Sequence, residues 1–157
     1  MHASTQVSAA DSAEDYGHAR ELFEEYAAQL GVDLCFQNFA FELDHLAEMY
    51  GPPSGCLLLG RRAGEIVGCV ALRHLSGEVC ELKRLYVRES ARTLGLGRAL
   101  TRAALAAARA IGYQRIVLDT LERMTAARQL YASLGFRAAL AYYANPDPTV
   151  EYLALDL

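Results

Sequence analysis

The chain has 157 residues, of which 53% are apolar and 22% charged, with a formal net charge of −4. That length suits one packed core, hence a single domain over 1–157, and an acidic balance without any Lys/Arg block excludes an electrostatic footprint for nucleic acid. No apolar run reaches spanning length, and the first fifteen residues carry neither a basic start nor an apolar core; no membrane partner and no secretory signal are expected, and a cytoplasmic location is.

Apolar residues at Ala19, Leu22, Phe23, Tyr26, Ala27 and Leu30 recur at helical spacing and Gly31 follows, which predicts a first helix over about 12–30. Asn38 stands as the cap of a second helix with the stripe Phe39, Leu43, Leu46, Ala47 and Tyr50, ended by Gly51-Pro52-Pro53. Cys56–Arg61 and Glu65–Arg73 are β-rich runs around Arg62-Ala63-Gly64, a hairpin pattern, and Ser76-Gly77 leads into a third strand, Val79–Val87. A glycine-rich turn, Arg92-x-x-Gly95-x-Gly97, then opens a helix with the stripe Leu100, Ala104, Ala107, Ala108 and Ile111, closed by Gly112. A strand over Arg115–Thr120, a helix over Met124–Leu134 stopped by Gly135, and a final hairpin of Phe136–Tyr143 with Val150–Leu157 complete the order. Hairpins first and strand–helix–strand units after them predict an α/β fold with a mixed sheet and helices on its faces.

Cys35, Cys56, Cys69 and Cys80 form no C-x-x-C pair, and His2, His18, His45 and His74 are scattered, so free thiols and no metal site are expected.

The glycine turn is a phosphate cradle: glycines let the backbone approach an anion, and the first free N–H groups of the helix point at it. Gly97-Arg98-Ala99 lacks the lysine and hydroxyl of a nucleoside triphosphate loop. A dinucleotide site, with Asp119 at the end of the next strand as ribose ligand, is weakened by Leu100 at the third small position and by the long loop Arg88 to Leu94. The third reading takes together Glu81-Leu82-Lys83-Arg84-Leu85-Tyr86-Val87, Arg92-x-x-Gly95-x-Gly97 and Ala127-x-x-Leu130-Tyr131-x-x-Leu134-Gly135-Phe136. Over roughly residues 79–136 these closely resemble the GNAT superfamily of acyl-CoA-dependent N-acetyltransferases. Thr93 and Met124 depart from that pattern, the latter standing where many members carry an asparagine for the pantetheine arm.

The resemblance implies a mostly antiparallel mixed sheet of six to seven strands with about four helices, and acetyl-CoA as co-substrate with no metal. It implies that Gly95, Leu96, Gly97, Arg98 and Ala99 hold the pyrophosphate, that Arg92 closes on it, and that Leu85 and Val87 offer main-chain groups to the pantetheine arm. Tyr131 stands at the general-acid position and Glu81 at a general-base position, although Glu81 and Lys83, two apart on a strand, also suit a surface ion pair. Acceptors in similar enzymes enter beside the first two helices, which puts Phe36 and Gln37 on that side, with Tyr142, Tyr143 and Asn145 covering from the last hairpin. Glu42 and Asp44 hint at a cationic acceptor or simply form an exposed helix face. The implied activity is transfer of an acetyl group to a primary amine of a small molecule, amino acid or peptide; an acyl-CoA-binding sensor domain without turnover and a dinucleotide-binding oxidoreductase are the alternatives. Homodimerisation, common in that superfamily, is a further partner option.

Overall fold

The structure, a computed structural model, describes residues 4–31 and 33–157, without the side chain of Phe36. The described strands are β1 (Thr5–Ala9), β2 (Cys56–Arg62), β3 (Glu65–Ser76), β4 (Val79–Val87), β5 (Arg115–Leu121), β6 (Arg137–Ala138) and β7 (Val150–Asp156). They form one seven-stranded sheet in the order β1-β2-β3-β4-β5-β7-β6. Every neighbouring pair is antiparallel except β4 and β5.

The helices are α1 (Ala13–Leu30), α2 (Phe39–Asp44), α3 (Leu46–Tyr50), α4 (Leu96–Ile111) and α5 (Thr125–Ser133). Side chains alternate across the sheet, so Leu57, Leu59, Cys69, Ala71 and Tyr86 pack with Ala19, Leu22 and Phe23 of α1 and Leu46 and Tyr50 of α3. Leu58, Val70, Leu72, Cys80 and Leu82 point the other way, onto Leu96, Leu100, Ala104 and Ala108 of α4 and Tyr131 of α5. Ser12 caps α1 by accepting from the Asp15 N–H at 3.1 Å, and Gly31 ends it in the left-handed conformation at φ 67°.

Two expectations are corrected, and one strand was not foreseen. The residues before α1 include the edge strand β1, exposed along most of its length. The second helix is two short ones, interrupted at His45 (φ −133°, ψ 32°), and Asn38 stands at its start in a left-handed conformation without a side-chain cap. The last hairpin narrows to Arg137–Ala138 against β7 because the hydroxyls of Tyr142 and Tyr143 turn inward to Glu81 and Asp119.

Two features of β4 create the site. It pairs with β5 only at Val79, Cys80 and Glu81, so the strands diverge beyond Glu81 and leave the rest of β4 with a backbone edge that β5 does not cover. It also carries a bulge: the register against β3 jumps from Tyr86–Cys69 to Lys83–Ala71, with Arg84 at φ 62° between. A left-handed arginine costs about 1–2 kcal/mol. The strain is held by what Arg84 reaches. Its guanidinium donates to Glu42 Oε2 from Nε at 2.9 Å and to Glu42 Oε1 from Nη2 at 2.8 Å, with both side chains almost fully buried.

Glu42 is therefore neither an exposed helix-face residue nor free to receive a cationic ligand, whereas Asp44 is exposed and binds Arg20 at 2.7 Å. Burial is the largest single influence and acts to raise the Glu42 carboxyl, but the hydrogen bonds and charge of Arg84, with the charge of Lys83, together outweigh it and the group lies below its ordinary value. That depressed value contributes stability that is fully present above the unfolded carboxyl's value, near 4.5, and is lost as pH falls through the lower folded value. Glu42→Ala leaves a buried arginine without its counter-ion, and urea unfolding is expected to show a loss of about 3 kcal/mol or more.

Candidate active site

The opening between β4 and β5 holds two connected cavities. The larger, a groove of about 570 Å3, runs between Leu85, Tyr86 and Val87 of β4 and Ala126, Ala127 and Leu130 of α5, with Arg92 and Gly97 at one end. Its lining is mainly apolar. The smaller, about 50 Å3, lies deeper between the strands and is lined by polar groups that include Gln37, Lys83, Asp119, Tyr131 and Asn145. Tyr26, Leu30, Leu85 and Met124 border both, so the groove leads into the pocket.

At the outer end, Gly95 precedes α4 at φ 78°, and no main-chain carbonyl among the described residues accepts from the amides of Leu96, Gly97 or Arg98. Such a helix start attracts anions. Ala99 is a correction: its N–H already donates to Gly95 O at 3.0 Å, making it the first bonded amide of the helix. Arg98 reaches sideways to Ser133 Oγ at 2.8 Å. Arg92 lies on the groove, donating to Val87 O at 2.9 Å and to Gln29 Oε1 at 2.6 Å, so the Val87 carbonyl expected to face a pantetheine arm is capped by that arginine. Thr93, also left-handed at φ 68°, donates to Arg92 O at 2.6 Å.

At the inner end, Tyr131 is 6% exposed, packs against Phe136 and lines the pocket. Burial, followed by the nearby Tyr26 and Asp119, holds its phenol well above the ordinary value. Glu81 does not line either cavity. It is 1% exposed, and both oxygens are committed, Oε1 to Arg73 Nε at 2.8 Å and Oε2 to the Tyr142 hydroxyl at 2.5 Å. The surface pair with Lys83 is absent too, because the register puts Arg73 directly opposite Glu81 on β3. Tyr142, expected over the acceptor, is spent on that same carboxylate, while Gln37 does line the pocket and the side chain of Phe36 lies outside the described residues.

Asp119, near the end of β5, lines the pocket with Tyr131, as does Asp147. Asp119 Oδ2 accepts from the Tyr143 hydroxyl at 2.5 Å and from Asn145 Nδ2 at 3.3 Å, whereas Oδ1 has no partner among the described residues. Sequence reasoning weighed Asp119 only as a ribose ligand. The signal available was a single carboxylate following Ile116-Val117-Leu118, near the carboxyl end of a strand, where open α/β sheets bind ligands.

All four cysteines are free, and among the described residues no cysteine or serine lines either cavity. Among the described residues no cluster of metal-ligating side chains occurs, and no helix is long and apolar enough to cross a membrane.

A family model described as the acetyltransferase (GNAT) family matches residues 16–136. An uncharacterized N-acetyltransferase of Schizosaccharomyces pombe is 40% identical, over 96% of this chain and 94% of its own. Among solved structures, an acetyltransferase from Streptococcus agalactiae superposes with a TM-score of 0.79 at 22% identity, covering 98% of each chain. A Salmonella typhimurium structure determined with its cofactor acetyl-CoA has a TM-score of 0.70 at 19% identity, over 97% of this chain and 93% of that one.

Proposed function

The chain belongs to the GNAT family of acetyltransferases, and we propose that it moves an acetyl group from acetyl-CoA to a primary amine of a small molecule, amino acid or peptide by direct attack in a ternary complex. The observation that carries this reading is the junction of the apolar groove with the polar pocket, where a carboxylate and a phenol meet. Acetyl-CoA supplies the thioester.

The residues present fit that donor. The free amides of Leu96, Gly97 and Arg98 suit a pyrophosphate, with Arg92 swinging from Val87 O to pair with it. The uncovered edge of β4 at Leu85 to Val87 suits an extended pantetheine arm. Met124 at the groove offers only a thioether, which already accepts from Thr120 Oγ1 at 3.7 Å, so the hold on the arm falls to main chain and apolar contact.

Asp119 Oδ1 takes a proton from the acceptor's ammonium, and the neutral nitrogen attacks the thioester carbon. The C–N bond forms as the C–S bond breaks; the sulfur takes a proton from Tyr131, which recovers one from the nitrogen. Glu81, with both oxygens engaged, orients Arg73 and Tyr142 instead of serving as the base. Direct attack is favoured because no thiol or serine hydroxyl lines the cavities to carry the acyl group.

The test pairs ligand-dependent melting with release of the CoA thiol over a panel of amines, using a control without acceptor because the chain has four cysteines of its own. Acetyl-CoA, and not NAD, is expected to raise the melting temperature, and thiol release is expected to require an amine. Stabilisation by NAD alone would reject the donor assignment; binding of acetyl-CoA without amine-dependent release would leave a sensor domain. Arg92→Ala is expected to raise KM for acetyl-CoA about tenfold with kcat little altered, the signature of lost ground-state binding by one charged hydrogen-bonding group.

A further inference from the structure

Around the small pocket Arg84 and Arg73 are ion-paired, whereas, among the described residues, Lys83, Asp119 and Asp147 are not. Arg84 is held by Glu42 and Arg73 by Glu81. Asp147, at the rim, accepts from the Thr149 amide and hydroxyl through Oδ1 and lies in the field of Arg123. What remains is Lys83, whose Nζ reaches only the neutral amide oxygen of Gln37 at 3.1 Å, and Asp119, whose partners Tyr143 and Asn145 are neutral as well. Among the described residues neither has an ion-pair partner, and both line the same pocket of about 50 Å3. Burial, and next the neighbouring Arg84, disfavour the Lys83 ammonium, as expected of a cation held without a counter-ion.

Gln37 shows what the pocket is shaped to receive. Its Oε1 accepts from Lys83 Nζ at 3.1 Å and from Arg84 Nη2 at 2.7 Å. Its Nε2 donates at 3.0 Å to the Tyr143 hydroxyl, which in turn donates to Asp119. The carboxamide thus presents its negative end to two cations and its positive end toward the carboxylate. A molecule carrying a full negative and a full positive charge a few bonds apart would make the same contacts with charge assistance at both ends.

We propose that the acceptor is an α-amino acid zwitterion, its carboxylate seated on Lys83 in place of the Gln37 amide oxygen and its ammonium on Asp119 Oδ1. This rests on the acetyl-transfer reading above and names the acceptor class for that site. A polyamine would bring a second cation against Lys83, and a peptide N-terminus would offer a neutral amide where the lysine calls for an anion. The chemistry also supports release: acetylation turns the ammonium into an uncharged amide, so the product keeps its negative charge but loses its ion pair with Asp119.

The experiment compares thiol release from acetyl-CoA with a panel of α-amino acids and their matching α-carboxamides, together with calorimetric binding of each to the enzyme–CoA complex. A charged hydrogen bond contributes about 1.5–3 kcal/mol, so kcat/KM for the best amino acid is expected to exceed that of its carboxamide by roughly 10- to 150-fold. In Lys83→Met that ratio is expected to fall toward one, and Lys83→Arg is expected to retain a preference for the carboxylate. Wild-type enzyme that acetylates carboxamides or other carboxyl-free amines as well as amino acids, or a CoA complex that binds both forms equally, would overturn the acceptor class while leaving acetyl transfer intact. Release with no amine of any kind would overturn both.

Discussion

Replacing Asp119 with asparagine is expected to lower kcat/KM for the acceptor about a thousandfold near pH 7, and by progressively less as pH rises. The side chain keeps its shape and its place beside Tyr143 and Asn145, so the loss reflects the missing proton acceptor within the usual range for acid–base groups. Its dependence on pH follows from the acceptor: as pH rises solution itself removes the ammonium proton, and once the amine is neutral the enzyme has no ammonium left to deprotonate. Glu81→Gln is the companion variant. Its carboxylate binds Arg73 and Tyr142 outside the cavities, so its cost is expected in stability, through the unpaired Arg73, with no pH-dependent rescue of rate. A pH-rescued defect in Glu81→Gln beside an active Asp119→Asn would return the base role to Glu81.

Tyr131→Phe is expected to lower kcat by about a hundredfold or more while KM for acetyl-CoA changes little. The substitution removes one hydroxyl and preserves the ring that packs on Phe136 at a centroid distance of 5.5 Å. Burial keeps the phenol protonated throughout the working range, so it remains a donor to the developing thiolate, and its own ionisation is expected to add no falling limb to the rate profile below about pH 10. A near-wild-type rate in the phenylalanine variant would exclude the role.

Much of the fold was legible because it is written in local patterns. The β-rich runs of β2 and β3, the apolar stripe of α4 and the stops at Gly31, Gly112 and Gly135 depend on near neighbours, and the structure departs from those expected boundaries by a few residues at most. The strand β1 was not legible: Thr5-Gln6-Val7-Ser8-Ala9 has only a weak apolar face, with Val7 alone packed on the core, and exists because β2 offers it a ladder. The cradle at Gly95 and Gly97 was visible for the same local reason, as was Tyr131 within Leu130-Tyr131-x-x-Leu134-Gly135-Phe136.

The pairing within the acceptor pocket was not, since its main contacts join distant segments. Arg84 meets Glu42, Arg73 takes Glu81 away from Lys83, and Tyr142 and Tyr143 are drawn in from the last connection to Glu81 and Asp119. A single sequence shows which residues carry charge and leaves the pairing to the register of β3 on β4 and to the bulge at Arg84.

The central claim is that the acetyl group passes straight from the donor in the groove to the amine in the pocket. Initial velocities measured over a matrix of acetyl-CoA and acceptor concentrations test it most directly. Direct transfer in a ternary complex predicts double-reciprocal lines that intersect, whichever substrate is varied; parallel lines, together with an acetylated enzyme trapped before acceptor is added, would contradict it.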